Sequence, residues 1–334
     1  AQRPAEPVGS RAGNAEPTLS ISAGWGIGIP AWSRQIDRRL GYRAPGWFER
    51  EFGHPALVVR RTDLEQPSGR RWKGNDARVR KLTFTGSTEV GIKLYEKAAR
   101  TVKRVSLELG GHAPFIICED ADIPAAVQQV MASKFRNAGQ TCVCANRIYV
   151  HDTVQAAFTD RMADAVRNLR VGDPMSDQTQ VGPLVDRQGL DKVASHVDDA
   201  IGKGANVVVG GKRRDGLFFD PTLLTGVTKG MRILEEETFG PVAPIVGYSN
   251  EAEIIRAANA TPYGLAAYLW TKDLGRAFRI AEQLDYGIVG VNDGLPAAPH
   301  APFGGVKFSG IGREGGPWGL DEYLDVKYVS ISLP

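Results

Sequence analysis

The strongest constraint on folding is a repeat of short apolar runs and amphipathic stretches that starts near Val79 and continues to Asn292. Residues 81–85 read as a strand, and Gly86-Ser87-Thr88 turns it into a helix that ends near Ala99. Residues 105–109 and 114–118 read as strands, and a helix over 124–135 leads through a loop to a strand over 146–150. A helix over 153–169 follows, then helix–strand units at 186–203 with 206–210 and at 250–260 with 265–270. A last helix over 273–284 feeds a strand over 287–292. This alternation predicts an α/β fold with mainly parallel sheets, because parallel neighbours need a long crossover and a helix supplies it. Segment 324–332 is apolar on alternate positions and would make a poor free tail, so it is expected to pair with another sheet.

Residues 1–74 differ in character. Trp25, Trp32, Trp47 and Trp72 fall there, arginines come in pairs such as Arg38-Arg39 and Arg60-Arg61, and Lys73 is its lysine. Pro and Gly recur without helical or alternating apolar spacing, so no core element is expected; the segment reads as disordered or as foreign, out-of-frame sequence. The remaining 260 positions are rich enough in apolar residues, at 42% for the 334-residue chain, to bury a sizeable core. A formal charge of +3 gives no electrostatic footprint for nucleic acid or an acidic membrane, and no apolar run is long enough to span a bilayer. Three cysteines make no disulfide framework, which suits a reducing compartment, and the location is expected to be cytoplasmic. The first residues lack the charged-then-apolar order of a signal peptide. No metal is expected.

Chemistry concentrates in Phe135-Arg-Asn-Ala-Gly-Gln-Thr-Cys142-Val-Cys144-Ala-Asn-Arg147. A thiolate is a strong nucleophile, but an ordinary cysteine, with a pKa near ~8.5, is only a few per cent ionised at neutral pH. Cys142 must therefore be activated by its surroundings or deprotonated as a substrate arrives. Upstream, Glu108 sits in Leu107-Glu-Leu-Gly-Gly111, between apolar neighbours and a tight glycine pair; partial burial there suits a general base by raising its pKa. Gly86-Ser87-Thr88-Glu89-Val90-Gly91 lies at a strand-to-helix turn, where free N–H groups and the helix dipole favour a phosphate, although an ordinary helix cap has the same look. Downstream come Glu235-Glu236-Glu237-Thr238-Phe239-Gly240-Pro241 and Pro302-Phe-Gly-Gly-Val-Lys-Phe-Ser-Gly-Ile-Gly-Arg-Glu314. Glu235 and Glu236 read as an acidic surface patch; Glu237 does so less readily. Cys118, inside Phe115-Ile-Ile-Cys118, reads as buried core.

These motifs, in this order from about Asn75 to the C-terminus, resemble the aldehyde dehydrogenase superfamily, and Thr-Cys-Val-Cys looks most like its succinate-semialdehyde dehydrogenase branch. The resemblance implies a Rossmann-type cofactor domain of which residues 75–111 are a remnant, a catalytic thiol domain over 112–300, and a return segment with an oligomerisation strand over 301–334. It implies NAD or NADP as cofactor, a small aldehyde as substrate and a homodimer or homotetramer. Cys142 would be the nucleophile that forms a thioester, and Glu108 the base that activates water for its hydrolysis. Gly86, Ser87, Val90 and Leu109 would line the cofactor, Glu237 would hold the nicotinamide ribose, and Phe239 would pack beside the ring. Arg136 would grip the distal carboxylate of a semialdehyde, for which a guanidinium fork is suited, and Cys144 would be a structural thiol or a redox partner of Cys142. Three departures stand beside this. Residues 1–80 contain neither the Trp-Asn-Phe-Pro-type motif that supplies an oxyanion asparagine nor the Lys-Pro motif for the adenosine ribose, so the competing expectation is an inactive remnant with an incomplete cofactor site. His112 stands where the branch commonly has Asn, and Pro296-Ala297-Ala298 where it commonly offers a serine. A thiol-redox or esterase-like protein using Cys142 and Glu108 without nicotinamide is a third reading.

Overall fold

The computed structural model describes residues 19–23, 56–58 and 78–333. Two compact units are distinguished, one of residues 1–86 and 92–106, the other of residues 87–91 and 107–334.

In the first unit, β1 (Leu19–Ala23) pairs in parallel with both β2 (Ala56–Val58) and β3 (Val79–Thr85). The start of β4 (Arg104–Glu108) borders β3 on its other side. β3 buries Val79, Leu82 and Phe84, and most of helix α1 (Thr88–Ala99) follows it. Lys81 is buried too; its Nζ donates to Ser106 Oγ at 2.7 Å, and Lys103 Nζ donates to the Val79 carbonyl, so both cations gain oxygen partners inside the unit. Two short strands, at 19–23 and 56–58, lie in the stretch where no core element is expected from the sequence. Leu19-Ser-Ile-Ser-Ala23 does alternate apolar and polar residues, but over only five positions, a period too short to stand out among the surrounding Gly and Pro. The remaining residues of 1–74, and the disordered or foreign character read for them, lie outside the described residues.

The second unit is built on a seven-stranded sheet. Its strands are β5 (Ala113–Ile117), β6 (Ala145–His151), β7 (Asn206–Val209), β8 (Thr222–Thr225), β9 (Val242–Tyr248), β10 (Ala266–Trp270) and β11 (Ile288–Val291), in the order β11-β10-β5-β6-β9-β8-β7. Every pairing is parallel except β7 with β8. Alternation along the strands divides the core. Phe115, Ile117, Ile148, Val150 and Tyr268 face α2 (Ile123–Phe135), α3 (Asp152–Arg167) and α4 (Arg187–Gly202). Ile116, Tyr149, Ala267 and Leu269 face α5 (Glu251–Asn259) and α6 (Leu274–Ala281), whose Ile254, Ile255, Ala277 and Ile280 complete the other layer. Helices start where the sequence offers caps: Asp122, Asp186, Asn250 and Asp273 each accept a first-turn N–H.

The sequence pattern placed most of these elements within two or three residues. It missed β8 and β9. Val242-Ala-Pro-Ile-Val-Gly-Tyr248 carries Pro and Gly mid-strand, which argue against a strand when read locally; burial between β6 and β8 outweighs that preference. Residues 310–311 form the short β12 (Gly310–Ile311), antiparallel to Leu107 and Glu108 at the end of β4, and α7 (Gly316–Asp321) closes the regular structure. The tail after it pairs with no strand of this chain among the described residues, and Val326, Tyr328, Ile331 and Leu333 are exposed. No helix among the described residues is long and apolar enough to cross a membrane.

Candidate active site

Cys142 lies on the loop between α2 and β6, and backbone strain shapes its approach. Asn137, Ala138 and Gly139 take successive left-handed φ values of 51°, 55° and 73°, so the chain leaves the helix in a tight, unusual coil. A left-handed non-glycine residue costs roughly 1–2 kcal/mol, so the loop needs compensation. Gln140 provides it: its Nε2 donates to the carbonyls of Asn137 and Pro183, while its Oε1 accepts the Val185 N–H at 2.8 Å. A Cβ on Gly139 would strike the Gly240 carbonyl, and one on Gly111 would strike the carbonyl of Cys142. The Cys142 loop, the Gly-Gly turn and the Glu237 loop therefore meet backbone to backbone.

Glu108 ends β4 and is buried, with Oε2 unpartnered. Burial pushes its carboxyl up to about 9, the Glu314 carboxylate pushes the same way, and Arg313 opposes. A Cβ on Gly304 would come within 2.8 Å of Glu108 Oε1, so the backbone at Gly304 packs beside that carboxyl. Glu237 is half-buried; its Oε1 accepts the Gly111 N–H at 3.0 Å, and burial raises its pKa to about 7. Around Gly110 a Cβ would meet Glu237 Oε2 at 2.9 Å, Thr88 Oγ1 at 3.2 Å and Tyr263 Cε1 at 3.3 Å. The Gly110 carbonyl accepts Ser309 Oγ at 2.7 Å, and Ser309 Oγ in turn accepts the Gly264 N–H. Cys142 itself is held as a thiol: burial, then the charges of Glu237 and Glu108, push it up to about 12. Its activation must accompany loss of negative charge nearby or transfer of its proton.

Ser87, Val90 and Leu109 belong to this unit; a Cβ on Gly91 would collide with the Leu109 side chain, which locks the start of α1 against the residue before the glycine pair. Gly86 closes β3 in the other unit. Phe239 follows Glu237 with a left-handed φ of 55°. Arg136 caps α2 and is exposed. Cys118 is buried, as read, and burial pushes its thiol up to about 11.

Sequence reading missed several neighbours. Lys134 is fully buried, and its Nζ donates to Asn146 Oδ1 at 3.0 Å and to Cys144 Sγ at 3.2 Å, which fixes Cys144 beneath the loop. Arg147 is buried and donates to the carbonyls of His112, Ala257 and Ala258 and to the Tyr286 hydroxyl. His112 is buried with neither ring nitrogen hydrogen-bonded, and burial, then Arg147, hold it neutral. Glu236 is no free surface acid: Arg232 and His196 both bind its carboxylate. Arg232 lies only four positions from Glu236, but His196, 40 positions away in sequence, gives no local signal of its partnership.

Residues 72–329 match the family model described as "Aldehyde dehydrogenase family". The chain is 52% identical over 255 residues to a glutarate-semialdehyde dehydrogenase of Pseudomonas putida, covering 76% of this chain and 53% of that protein. It is 52% identical over 257 residues to a succinate-semialdehyde dehydrogenase [NADP(+)] of Escherichia coli, again covering 76% and 53%. The crystal structure of a succinate-semialdehyde dehydrogenase from Burkholderia pseudomallei superposes with a TM-score of 0.79 at 49% identity, covering 83% of this chain and 57% of that one. The chain belongs to the aldehyde dehydrogenase family. It spans about half the length of the curated relatives it matches.

Proposed function

We propose that the protein oxidises a small carboxylated semialdehyde, of the succinate or glutarate class, to the acid with NAD or NADP, through a thioester on Cys142. The observation that carries this reading is the meeting of a partly buried thiol, Cys142, with the buried Glu108 and half-buried Glu237 carboxyls, both of raised pKa, around a glycine pair. The relatives named above, at 52% identity, point to the same substrate class.

The residues fit a nicotinamide nucleotide. The Glu237 carboxylate, close against Gly110 and Gly111, is suited to a ribose diol, and Ser87 and Val90, at the start of α1, would lie toward the phosphates. When bound, the nicotinamide supplies the hydride acceptor. The chain's own residues do the rest. The Cys142 thiol gives up its proton to solvent and Sγ adds to the aldehyde carbon, forming a hemithioacetal alkoxide; loss of hydride from that carbon re-forms the C=O bond and leaves the thioester. Glu108, once ionised, takes a proton from water, the hydroxide adds to the thioester carbon, and the C–S bond breaks to release the acid and the Cys142 thiol. Arg136, exposed at the end of α2, would bind the distal carboxylate of the semialdehyde through its guanidinium fork.

Assaying nicotinamide reduction with succinate and glutarate semialdehyde tests the reading. The protein should reduce the cofactor, and Cys142→Ser should abolish this. Ester hydrolysis dependent on Cys142 in the absence of any nicotinamide reduction would instead identify a thiol hydrolase.

A further inference from the structure

His196, on the inner face of α4, lies far in sequence from every motif that carries the chemistry, yet it is fully buried against the Glu237 loop. Its Nε2 is 3.2 Å from Glu236 Oε2, and its Nδ1 is 3.2 Å from Thr238 Oγ1. Those are the two residues that flank Glu237. A carboxylate only accepts hydrogen bonds, so Nε2 carries the proton, and the bare Nδ1 accepts from the Thr238 hydroxyl. One tautomer of one neutral ring satisfies both sides of the loop.

The same helix makes the rest of the bed. Arg232 donates from Nε and Nη2 to Glu236 and from Nη1 to Ser195 Oγ, while its N–H is held by Asp199 Oδ2 at 2.9 Å. A Cβ on Gly240 would strike Val193. The loop between these anchors contains Phe239 at φ 55°, a conformation that relaxes unless its ends are fixed. We infer that His196 is a positioning residue: by gripping Glu236 and Thr238 together, its ring sets where the Glu237 carboxylate points relative to Cys142 and to the ribose it is proposed to hold. The inference rests on the functional reading of Glu237 given above.

The groups that face the ring are Glu236 and Arg232 from the loop side, Lys192 from its own helix and His112 from the start of β5. Burial, the largest influence, and Lys192 with Arg232 hold the ring's pKa down against the pull of Glu236, so it stays neutral at physiological pH. Protonation in acid would turn Nδ1 into a donor and force the Thr238 hydroxyl to reverse.

The test measures the rate of Cys142 alkylation by iodoacetamide against pH, with calorimetric titration of NADP and of NAD in parallel. Because the Glu237 charge opposes Cys142 ionisation, the wild-type profile should show an inflection near the Glu237 pKa of about 7. His196→Phe fills the space without either hydrogen bond, and Thr238→Val removes one arm with nearly no change of shape. Both should move or erase the inflection and weaken nucleotide binding, His196→Phe by about ten-fold, the loss of roughly one hydrogen bond. His196→Gln, which keeps a donor toward Glu236, should recover part of each effect. A merely structural histidine would lower the unfolding midpoint and leave the inflection in place in Thr238→Val and in any folded His196 variant; that result overturns the inference. If no form binds nucleotide, the proposed function fails, and the alkylation profile still decides the role of His196.

Discussion

At the scale of single residues, Cys142 and Cys144 separate sharply. Cys142 is partly exposed beside two carboxyls, whereas Cys144 is buried under the Lys134 ammonium. Cys142→Ser should remove aldehyde oxidation, and Cys144→Ala should keep most of it under reducing conditions; peptide mapping after limited iodoacetamide should find label on Cys142 first. Glu108 has a further consequence for stability. Its carboxyl is raised from 4.5 in the unfolded chain to about 9 in the fold, so the folded form holds the proton more tightly. Its contribution is fully present below the unfolded pKa and is lost as pH rises through the folded one, with a slope of up to about 1.4 kcal/mol per pH unit between them. Glu108→Gln should therefore flatten the loss of stability between acid and mildly alkaline pH, as read from urea unfolding midpoints; parallel curves for the two proteins would show that Glu108 titrates normally. Arg136→Lys keeps the charge and loses the fork, so semialdehydes should lose ~1–3 kcal/mol in kcat/KM while neutral aliphatic aldehydes lose little. Equal losses would make Arg136 structural.

At the scale of elements, the sequence was most legible where periodicity and caps agree. Asp186 and the apolar spacing of Leu190, Val193 and Val197 announce α4 within a residue of its ends. β9 stayed hidden because Pro244 and Gly247 speak against a strand while tertiary burial enforces one. The site divides the same way. Cys142, Glu108 and Glu237 were legible through short motifs, because close backbone approach demands glycine beside them. His196, Lys134 and Arg147 were not, because their partners come from other elements. Arg147 illustrates the energetic weight of such contacts. It ties β6 to the His112 carbonyl at the start of β5 and to the carbonyls that end α5. Arg147→Met should leave those buried acceptors unpaired and cost about 2–4 kcal/mol of stability, seen as a lower urea midpoint with an unchanged slope. A loss below half a kilocalorie would mean that water replaces the guanidinium there.

At the scale of the whole molecule, the seven-stranded sheet supplies a rigid platform on whose strand ends three loops meet: the one before Cys142, the glycine pair after Glu108 and the one that carries Glu237. The chemistry proposed for them requires an acyl group to reside on a particular sulfur. Mixing the Glu108→Gln variant with succinate semialdehyde and NADP or NAD, quenching in acid and weighing the intact protein and its peptides tests that requirement most directly. The expected result is a succinyl adduct on the peptide containing Cys142, formed with one equivalent of reduced nicotinamide and absent when either aldehyde or nucleotide is omitted. Nicotinamide reduction without an adduct on Cys142, or an adduct on Cys118 or Cys144 instead, would contradict the account.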